Sequence, residues 1–544
     1  MRRRLVGAMS VVLAALAIGA APAPAAQPSF ANMSLEFFDP QTEFITSDIA
    51  FWRDTAFVGN YGGLRTYDIS DPDDPVRLTD FRCFGPQNDP SVWDTDGNGQ
   101  ADLLVQSVDL TLDAPACGSP QSRHPDGSRH DENPTGWEGV RLFDISNPAN
   151  PVFLKAIYLD CGSHTNTLYP DPARNRLVVL NSSYPLRPGP TCGISHDGTD
   201  MSKNTANPYD SDPGSPADPL HGVVQTVIIP LQGSAAASAN AAFEGPQLPI
   251  NYPGDPDNLF DPAEHQLPGF GKLRACHDIA VYLPQKLVAG ACAEQSQLWR
   301  LDDATGLPDT ANPIWVFDQP NIDFHHSATF SWDGKVVNFI DESFGSGCPT
   351  VTKGVGQTGR MFFVDADTGA RLSQFMISRS RQKETPDYCS AHMGNVVPAS
   401  NKYLLVNAWY TGGVDVIDFS NPRAPKEVAY YDNNGDEWSG YWYEQNGSST
   451  SGALNVFGTH GVEHIAHGEG EELEARGFEA FLAGVAANRT TLDHLNPQVQ
   501  EQAFAVTPER RAGSSSSRAS GSRKATRRSS GRVSRKRVLR HLSP

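Results

Sequence analysis

The stretch SDIAFWRDTAFVGNYGGLRTYDISDPDDPVRL, residues 47–78, decides the fold. It reads as two β-rich runs, a Gly-Gly turn, a third run ending in YDIS, an Asp-Pro turn and a last short run. That is one four-stranded antiparallel sheet. The same pattern returns from Asn88 (NDPSVW) through GVRLFDISNPANPVFL at 139–154, and from His392 (HMGNVV) through GGVDVIDFSNPRAPKEVAYY at 412–431. Weaker copies begin at His164, His277 and His326 and close on GVVQTVIIP (222–230), QLWRLDD (297–303) and GRMFFVDADTG (359–369). The weakest starts at Trp438 (WSGYWYEQNG) and continues as GALNVFGT at 452–459. Without insertions the period is roughly 40–50 residues, as in propeller blades. The expectation is an all-β chain folded as a seven-bladed β-propeller with long inter-strand insertions.

The turn signature has a physical meaning. A hydrophobic third strand delivers Asp or Ser to the turn, Asn-Pro or Asp-Pro reverses the chain, and a second Pro opens an edge strand that needs no outward donor. One copy is an ordinary Asx-Pro turn; three near-identical copies mark a repeat.

On TYDISDPDDPVRL (66–78), LFDISNPANPVFL (142–154) and VIDFSNPRAPKEV (416–428), with ACHDIAVYLPQKLVAGACAE (275–294) and HHSATFSWDGKVVNFIDE (325–342), the chain resembles the LVIVD-repeat family of secreted bacterial β-propeller proteins. The resemblance covers about residues 37–457 and implies the fold; it implies no particular reaction. A more distant analogy is to the selenium-binding protein and methanethiol oxidase propellers, where channel histidines hold a metal. It rests here only on histidines at blade starts.

The N-terminus, MRRRLVGAMSVVLAALAIGAAPAPAAQ, has basic residues, an apolar run and small residues, so residues 1–26 read as a signal peptide. Arg2 and Arg3 loosely fit a twin-arginine signal, although a general secretory leader is also basic. No later stretch is apolar enough for a membrane span, and the expected location is secreted, extracellular or cell-envelope. Eight cysteines in an exported chain favour disulfides over zinc. In chain order they are Cys83, Cys117, Cys161, Cys192, Cys276, Cys292, Cys348 and Cys389. Neighbour pairing would brace blades, but spacing alone does not fix the connectivity.

His164, His277, His326 and His392 stand at matching positions in successive copies. In a radial repeat such positions converge on the axis, so scattered imidazoles become a candidate site for Cu, Zn or Fe. Asp278 and His325 are candidate supporting groups that would fix a ligand tautomer or deliver protons. At the equivalent place the other copies offer Ser47-Asp48, Asn88-Asp89 and Trp438. Glu294, Asp341 and Glu342 come at the far ends of the following strands and are expected to line a surface away from the metal.

A second constellation, Asp94, Asp96, Asn98, Gln100 and Asp102, resembles an abbreviated calcium loop, with oxygen at alternate positions and glycines for the turn. Calcium there would be structural; the plain alternative is a polar hairpin. Residues 458–467 hold His460, His464 and His467 among glycines and read as a solvated loop. Residues 458–508 are expected to form a helical C-terminal extension, with Leu473, Phe478, Phe481, Leu482 and Val485 on the packed face of a helix between Glu469 and Ala487. The chain carries 43 basic and 63 acidic residues, net −20. Residues 509–544 are nonetheless Ser/Arg-rich and basic, expected to be a disordered tail suited to an anionic polymer or to no dedicated partner.

No nucleophile elbow, phosphate loop or dinucleotide fingerprint occurs. Two readings of function follow. In one the protein is an envelope or extracellular binding module for an unknown small molecule or envelope component, with insertions after Ser183, Leu231 and Phe344 as a recognition face. In the other it is a metal-dependent oxidoreductase, on a small sulfur compound for example, using the channel histidines. Whether it is an enzyme is left open by the sequence.

Overall fold

The computed structural model describes residues 29–113, 115–117, 137–183, 221–253, 275–319, 322–343, 359–378, 389–432, 437–445, 452–461 and 476–508. Residues 1–28 (the expected signal peptide among them), the basic tail, Cys192, Cys348, His464, His467 and Leu473 lie outside them, as do most of the insertions after Ser183 and Phe344. Among the described residues the body up to Pro508 is all-β apart from the short helix Ala235–Ala241 and a few 3-10 turns.

The described strands form six sheets, which divide along the chain into seven antiparallel units of four strands or, in the third, three long strands and two short ones. The first is Thr46–Trp52, Thr55–Asn60, Gly63–Asp68 and Val76–Arg82; the second is Gln87–Trp93, Leu103–Asp113, Trp137–Asp144 and Val152–Tyr158. The third is Thr165–Asp171, Arg176–Ser182 and Val223–Pro230, finished by the short Phe243–Glu244 and Leu248–Pro249. The fourth is Asp278–Tyr282, Leu287–Cys292, Gln295–Arg300 and Trp315–Phe317, and the fifth His325–Phe330, Val336–Asp341, Met361–Asp365 and Arg371–Phe375. The sixth is Met393–Val397, Leu404–Ala408, Val414–Asp418 and Lys426–Asp432. The seventh takes Glu437–Trp442, Leu454–His460 and Arg476–Ala483 from the C-terminal side, and its fourth strand, Met33–Gln41, from the N-terminus. Units six and seven, with Ser29–Ala31 added on the edge of Lys426–Asp432, merge into one nine-stranded sheet through a parallel contact of their first strands, Met393 with Ser439. Each first strand touches the first strand of the next unit, and the seventh touches the first.

The sequence explains this stacking. Inner strands such as RLVVLNS (176–182), apolar on both faces through its middle, are buried from Leu177 onward, because each sheet has a neighbour on either side. On Asp278–Tyr282, Ile279 and Val281 pack with Tyr169, Val178 and Leu180 of the third unit, while Ala280 and Tyr282 pack with Phe330, Val337 and Phe339 of the fifth. Outer strands such as Val76–Arg82 are partly exposed. The three turn signatures are superimposable in their bonding. Asp68, Asp144 and Asp418 each accept the backbone N–H two residues on, all at 2.9 Å. The following Asp71, Asn147 and Asn421 accept from Asp73, Ala149 and Arg423 in the same way.

The expected C-terminal helix is not present. Arg476–Ala483 is a strand paired to both Leu454–His460 and Met33–Gln41, with Phe478, Ala480 and Phe481 buried. Helical composition lost to two ladders and two apolar faces, a tertiary override of local propensity. His460 likewise ends a buried strand instead of a solvated loop.

Beyond that strand the chain encircles the ring. Thr490 N–H donates to the Pro398 carbonyl of unit six (2.9 Å), and Leu492 N–H to the Glu444 carbonyl beside unit seven (2.9 Å). The Asp493 carbonyl then accepts from Arg53 N–H after the inner strand of unit one (2.7 Å). Asn496 bonds both backbone groups of Val92 in unit two, at 2.9 and 3.0 Å. Val499 and Gln500 touch the inner strand of unit three and pair in parallel with Val281 and Tyr282 of unit four. Gln500 reaches the Phe330 carbonyl of unit five (3.2 Å), and Thr507 N–H returns to Ser400 of unit six (2.7 Å), which itself donates to the Asn488 carbonyl (2.7 Å). This strap runs along the C-terminal ends of the first strands.

Two disulfides are seen entire, Cys83–Cys117 and Cys276–Cys292. Cys161 and Cys389 are also disulfide-bonded, and no described cysteine is free. No described helix is long and apolar enough to cross a membrane.

Asn496→Ala should strip the partners from two buried backbone groups of Val92 and lower stability by about 2–4 kcal/mol. Urea unfolding of variant and parent measures this; equal midpoints would show that the strap does not brace the ring.

Candidate functional site: a histidine ring at the strand starts

The first strands start where the strap does not run, and the four histidines sit there. His164, His277 and His392 immediately precede first strands, and His326 is second in its strand. Their rings form a continuous file: centroids are 4.3 Å apart for His164 and His277, 3.8 Å for His277 and His326, and 4.4 Å for His326 and His392. All four side chains are buried. The convergence expected from register is therefore present. Trp438, from the seventh unit, continues the file at 4.7 Å from His392.

Two rings have a fixed tautomer. His164 Nδ1 lies 2.9 Å from the Asp109 carboxylate, and His392 Nδ1 bonds the Trp438 carbonyl. An acceptor at Nδ1 puts the proton there and leaves the Nε2 lone pair available. His326 has no hydrogen bond at either ring nitrogen; its Nε2 is 3.9 Å from a Glu342 carboxylate oxygen. Donor atoms of His326, His392 and Glu342 all lie within 4.8 Å of one another. Tyr410 completes this corner, its ring 4.7 Å from His392 and its hydroxyl donating to Glu342 at 2.5 Å. It does so from a left-handed backbone conformation (φ 39°), unusual for a tyrosine.

Burial dominates the electrostatics. It holds His277 and His326 well below the ordinary imidazole value, helped by repulsion from neighbouring ring histidines, and drops His392 to about 3. These imidazoles are neutral at pH 7, the form that ligates metals. Burial also raises Glu342 to about 7, against the pull of the Tyr410 hydrogen bond. An acidic set lies among the same strands. Asp48, bonded by Tyr441 at 2.6 Å, is raised to about 6, Asp278 to about 7, and Asp89 well above the carboxylate range, all chiefly by burial.

Several sequence expectations need correcting. Asp278 accepts from the Ala328 N–H at 3.2 Å, and His325 turns to Ser296 (2.8 Å) and Asp318 (3.5 Å), so neither supports a ring histidine through these bonds. Strand alternation sends the neighbour of a channel residue to the other face. Asp109 takes that role for His164. Glu342, expected to line a surface apart, belongs to the cluster: in the antiparallel hairpin His325 pairs with Asp341, which returns Glu342 to the start of the first strand. In the candidate calcium loop Asp94 accepts from Gly97 and Gly99 N–H (2.7 and 2.6 Å), Asp96 from Asn98 N–H (2.9 Å) and Asn98 from Gln100 N–H (2.8 Å). Asp102 does not close the loop; it bonds Thr95 and, at 3.0 Å, Ala235 N–H at the start of the short helix. Of the other described clusters, Asp160, Cys161 and His221 lack a free thiolate, because Cys161 is disulfide-bonded.

Between pH 6.5 and 3 the unfolded chain protonates His392 while the fold refuses the proton, so this residue makes stability fall as pH falls through that window. In metal-free protein, the stability of His392→Gln relative to the parent should rise progressively from pH 7 to pH 4. Denaturant titrations across that range test it; a pH-independent difference would refute the burial argument.

An LVIVD-repeat family model matches residues 136–160 and 395–433. No curated protein matches the sequence. Among solved structures, a 6-phosphogluconolactonase candidate from Bacteroides uniformis ATCC 8492 is similar at 11% identity and a TM-score of 0.39, covering 77% of this chain and 92% of that one. A second candidate of that name, from Bacteroides fragilis NCTC 9343, is similar at 10% identity and 0.42, covering 78% and 92%. U3-55K is similar at 7% identity and 0.42, covering 83% and 98%. The two matched stretches hold the second and third copies of the DIS/DFS-Asn-Pro turn, and the chain thus carries LVIVD repeats within its sheet array.

Proposed function

We propose that the seven units are the blades of a closed β-propeller and that the protein holds one first-row transition metal at the histidine-lined end of its central channel. His326, His392 and Glu342 are the core ligands, with His277 and His164 alongside. The observation that carries this reading is His326: a buried imidazole without a hydrogen bond at either nitrogen, in a file of buried histidines beside a carboxylate. A buried polar group without a partner is costly, and a cation among these lone pairs removes the cost. Metal–nitrogen bonds of about 2.0–2.1 Å need only small side-chain rotations from the spacing observed. Imidazoles with one carboxylate suit zinc, copper or iron. The disulfides and the leader-like N-terminus support action outside the cytoplasm, at the envelope or beyond it.

A second reading, oxidoreductase chemistry on a small substrate, is favoured by Tyr410. Its hydroxyl on Glu342 places a proton donor and acceptor beside the ligand set. A metal bound there would supply Lewis acidity or electron transfer, while Tyr410, Glu342 and Asp109 hold protons and orient ligands.

Elemental analysis of exported protein, or of protein reconstituted with copper, zinc or iron, tests the site. The histidine ring is expected to hold about one equivalent of metal in the parent, and that equivalent should be lost in His277→Ala/His326→Ala with little change in the circular dichroism spectrum. Equal metal content in both proteins would overturn the site and leave a metal-free binding module as the function.

A further inference from the structure

We propose that Glu437, His460 and Glu479, in the seventh unit, form a second divalent-cation site, independent of the histidine ring and suited to zinc or manganese. The three come from three adjacent strands. Glu437 is directly opposite His460, His460 is opposite Gly477, and Glu479 is opposite Gly458. Residues two apart on a strand share a face, so Glu479 projects on the side where His460 meets Glu437. Register thus forces convergence, and the donor atoms of all three lie within 4.8 Å of one another. Glycines 458 and 477 put no side chain of the ladder over them.

The setting is dry. Glu437, His460 and Glu479 are 0%, 6% and 1% exposed. Their face of the sheet packs on the sixth unit: a Cβ at Gly440 or Gly458 would come 2.9 or 3.5 Å from the Val414 side chain. Both carboxylates act on Tyr431 of that unit, whose hydroxyl is pushed up by burial and then by Glu479 and Glu437. Two carboxylates and an imidazole within ligand distance of one another offer a cation both donor atoms and compensating negative charge. One imidazole and two carboxylates in tetrahedral reach form a donor set for zinc or manganese. The site adjoins the first: Glu437 N–H donates to the carbonyl of Tyr410 at 3.0 Å, the residue whose hydroxyl bonds Glu342.

The test uses the full chain carrying His277→Ala/His326→Ala, loaded with Zn2+, dialysed and assayed for metal. One equivalent should remain, and adding Glu437→Gln/Glu479→Gln should lower it at least tenfold. In the parent background the Gln pair should remove one of two equivalents. Absence of zinc from the ring-deleted protein, or retention unaffected by the Gln pair, overturns the proposal. If the combined variant does not fold, zinc-edge absorption of the ring-deleted protein decides: one imidazole with carboxylate oxygens is expected, and a shell without nitrogen refutes the site. Parent and ring-deleted proteins holding equal zinc would reject the ring site while leaving this one standing.

Discussion

Ring closure is the constraint on which the rest depends. A four-strand sheet with two apolar faces buries both only between neighbours, and a row of them leaves an apolar face bare at each end unless it is capped or the last packs on the first. The chain closes the row twice. Met33–Gln41 supplies the outer strand of the seventh unit, so the two ends of the body are joined by a ladder from Met33↔Ala483 to Gln41↔Arg476. The segment after Ala483 then bonds to or touches each unit in turn and finishes on Ser400, beside its own beginning. Both devices set the positions of the first strands, and those positions set the distances between histidines drawn from four units.

The same closure creates the chemistry. Imidazoles that in water would be half-protonated near neutral pH are forced neutral by burial, and the crowding of one ring on the next adds to the effect. Carboxylates among the same strands are pushed toward their neutral form for the same reason. The interior of the ring is polar yet buried, a setting in which lone pairs and protons rather than fixed charges do the work. Asp109 and the Trp438 carbonyl orient two of the rings from outside the file, and Tyr410 does the same for Glu342.

Much of this was legible in the sequence. The three DIS/DFS-Asx-Pro turns, one Asp-Pro and two Asn-Pro, announced a repeated sheet because such a turn reverses the chain at a fixed place, and the three copies bond alike. Matching histidines announced convergence because equivalent positions of a radial repeat face one axis. Glu342 was within reach of the same logic, since a hairpin returns the end of its second strand to the start of its first, but distance along the chain was mistaken for distance in space. The C-terminal segment was misread because its helical composition is a weak local preference, set against pairing partners more than four hundred residues away. Asp109 carried no signal: it lies on the second strand of the preceding unit, and only packing brings it to His164.

The sequence by itself determined the local units: where strands alternate, where turns must form, which cysteines and histidines recur in register, and that the chain carries LVIVD repeats. Tertiary structure decided what closes the ring, which carboxylates join which imidazoles, and which groups are neutral. The physical reason is one of range. Turn geometry and strand periodicity are fixed by neighbours a few residues apart, whereas closure, desolvation and ligand convergence depend on surfaces that meet only after the whole array has formed.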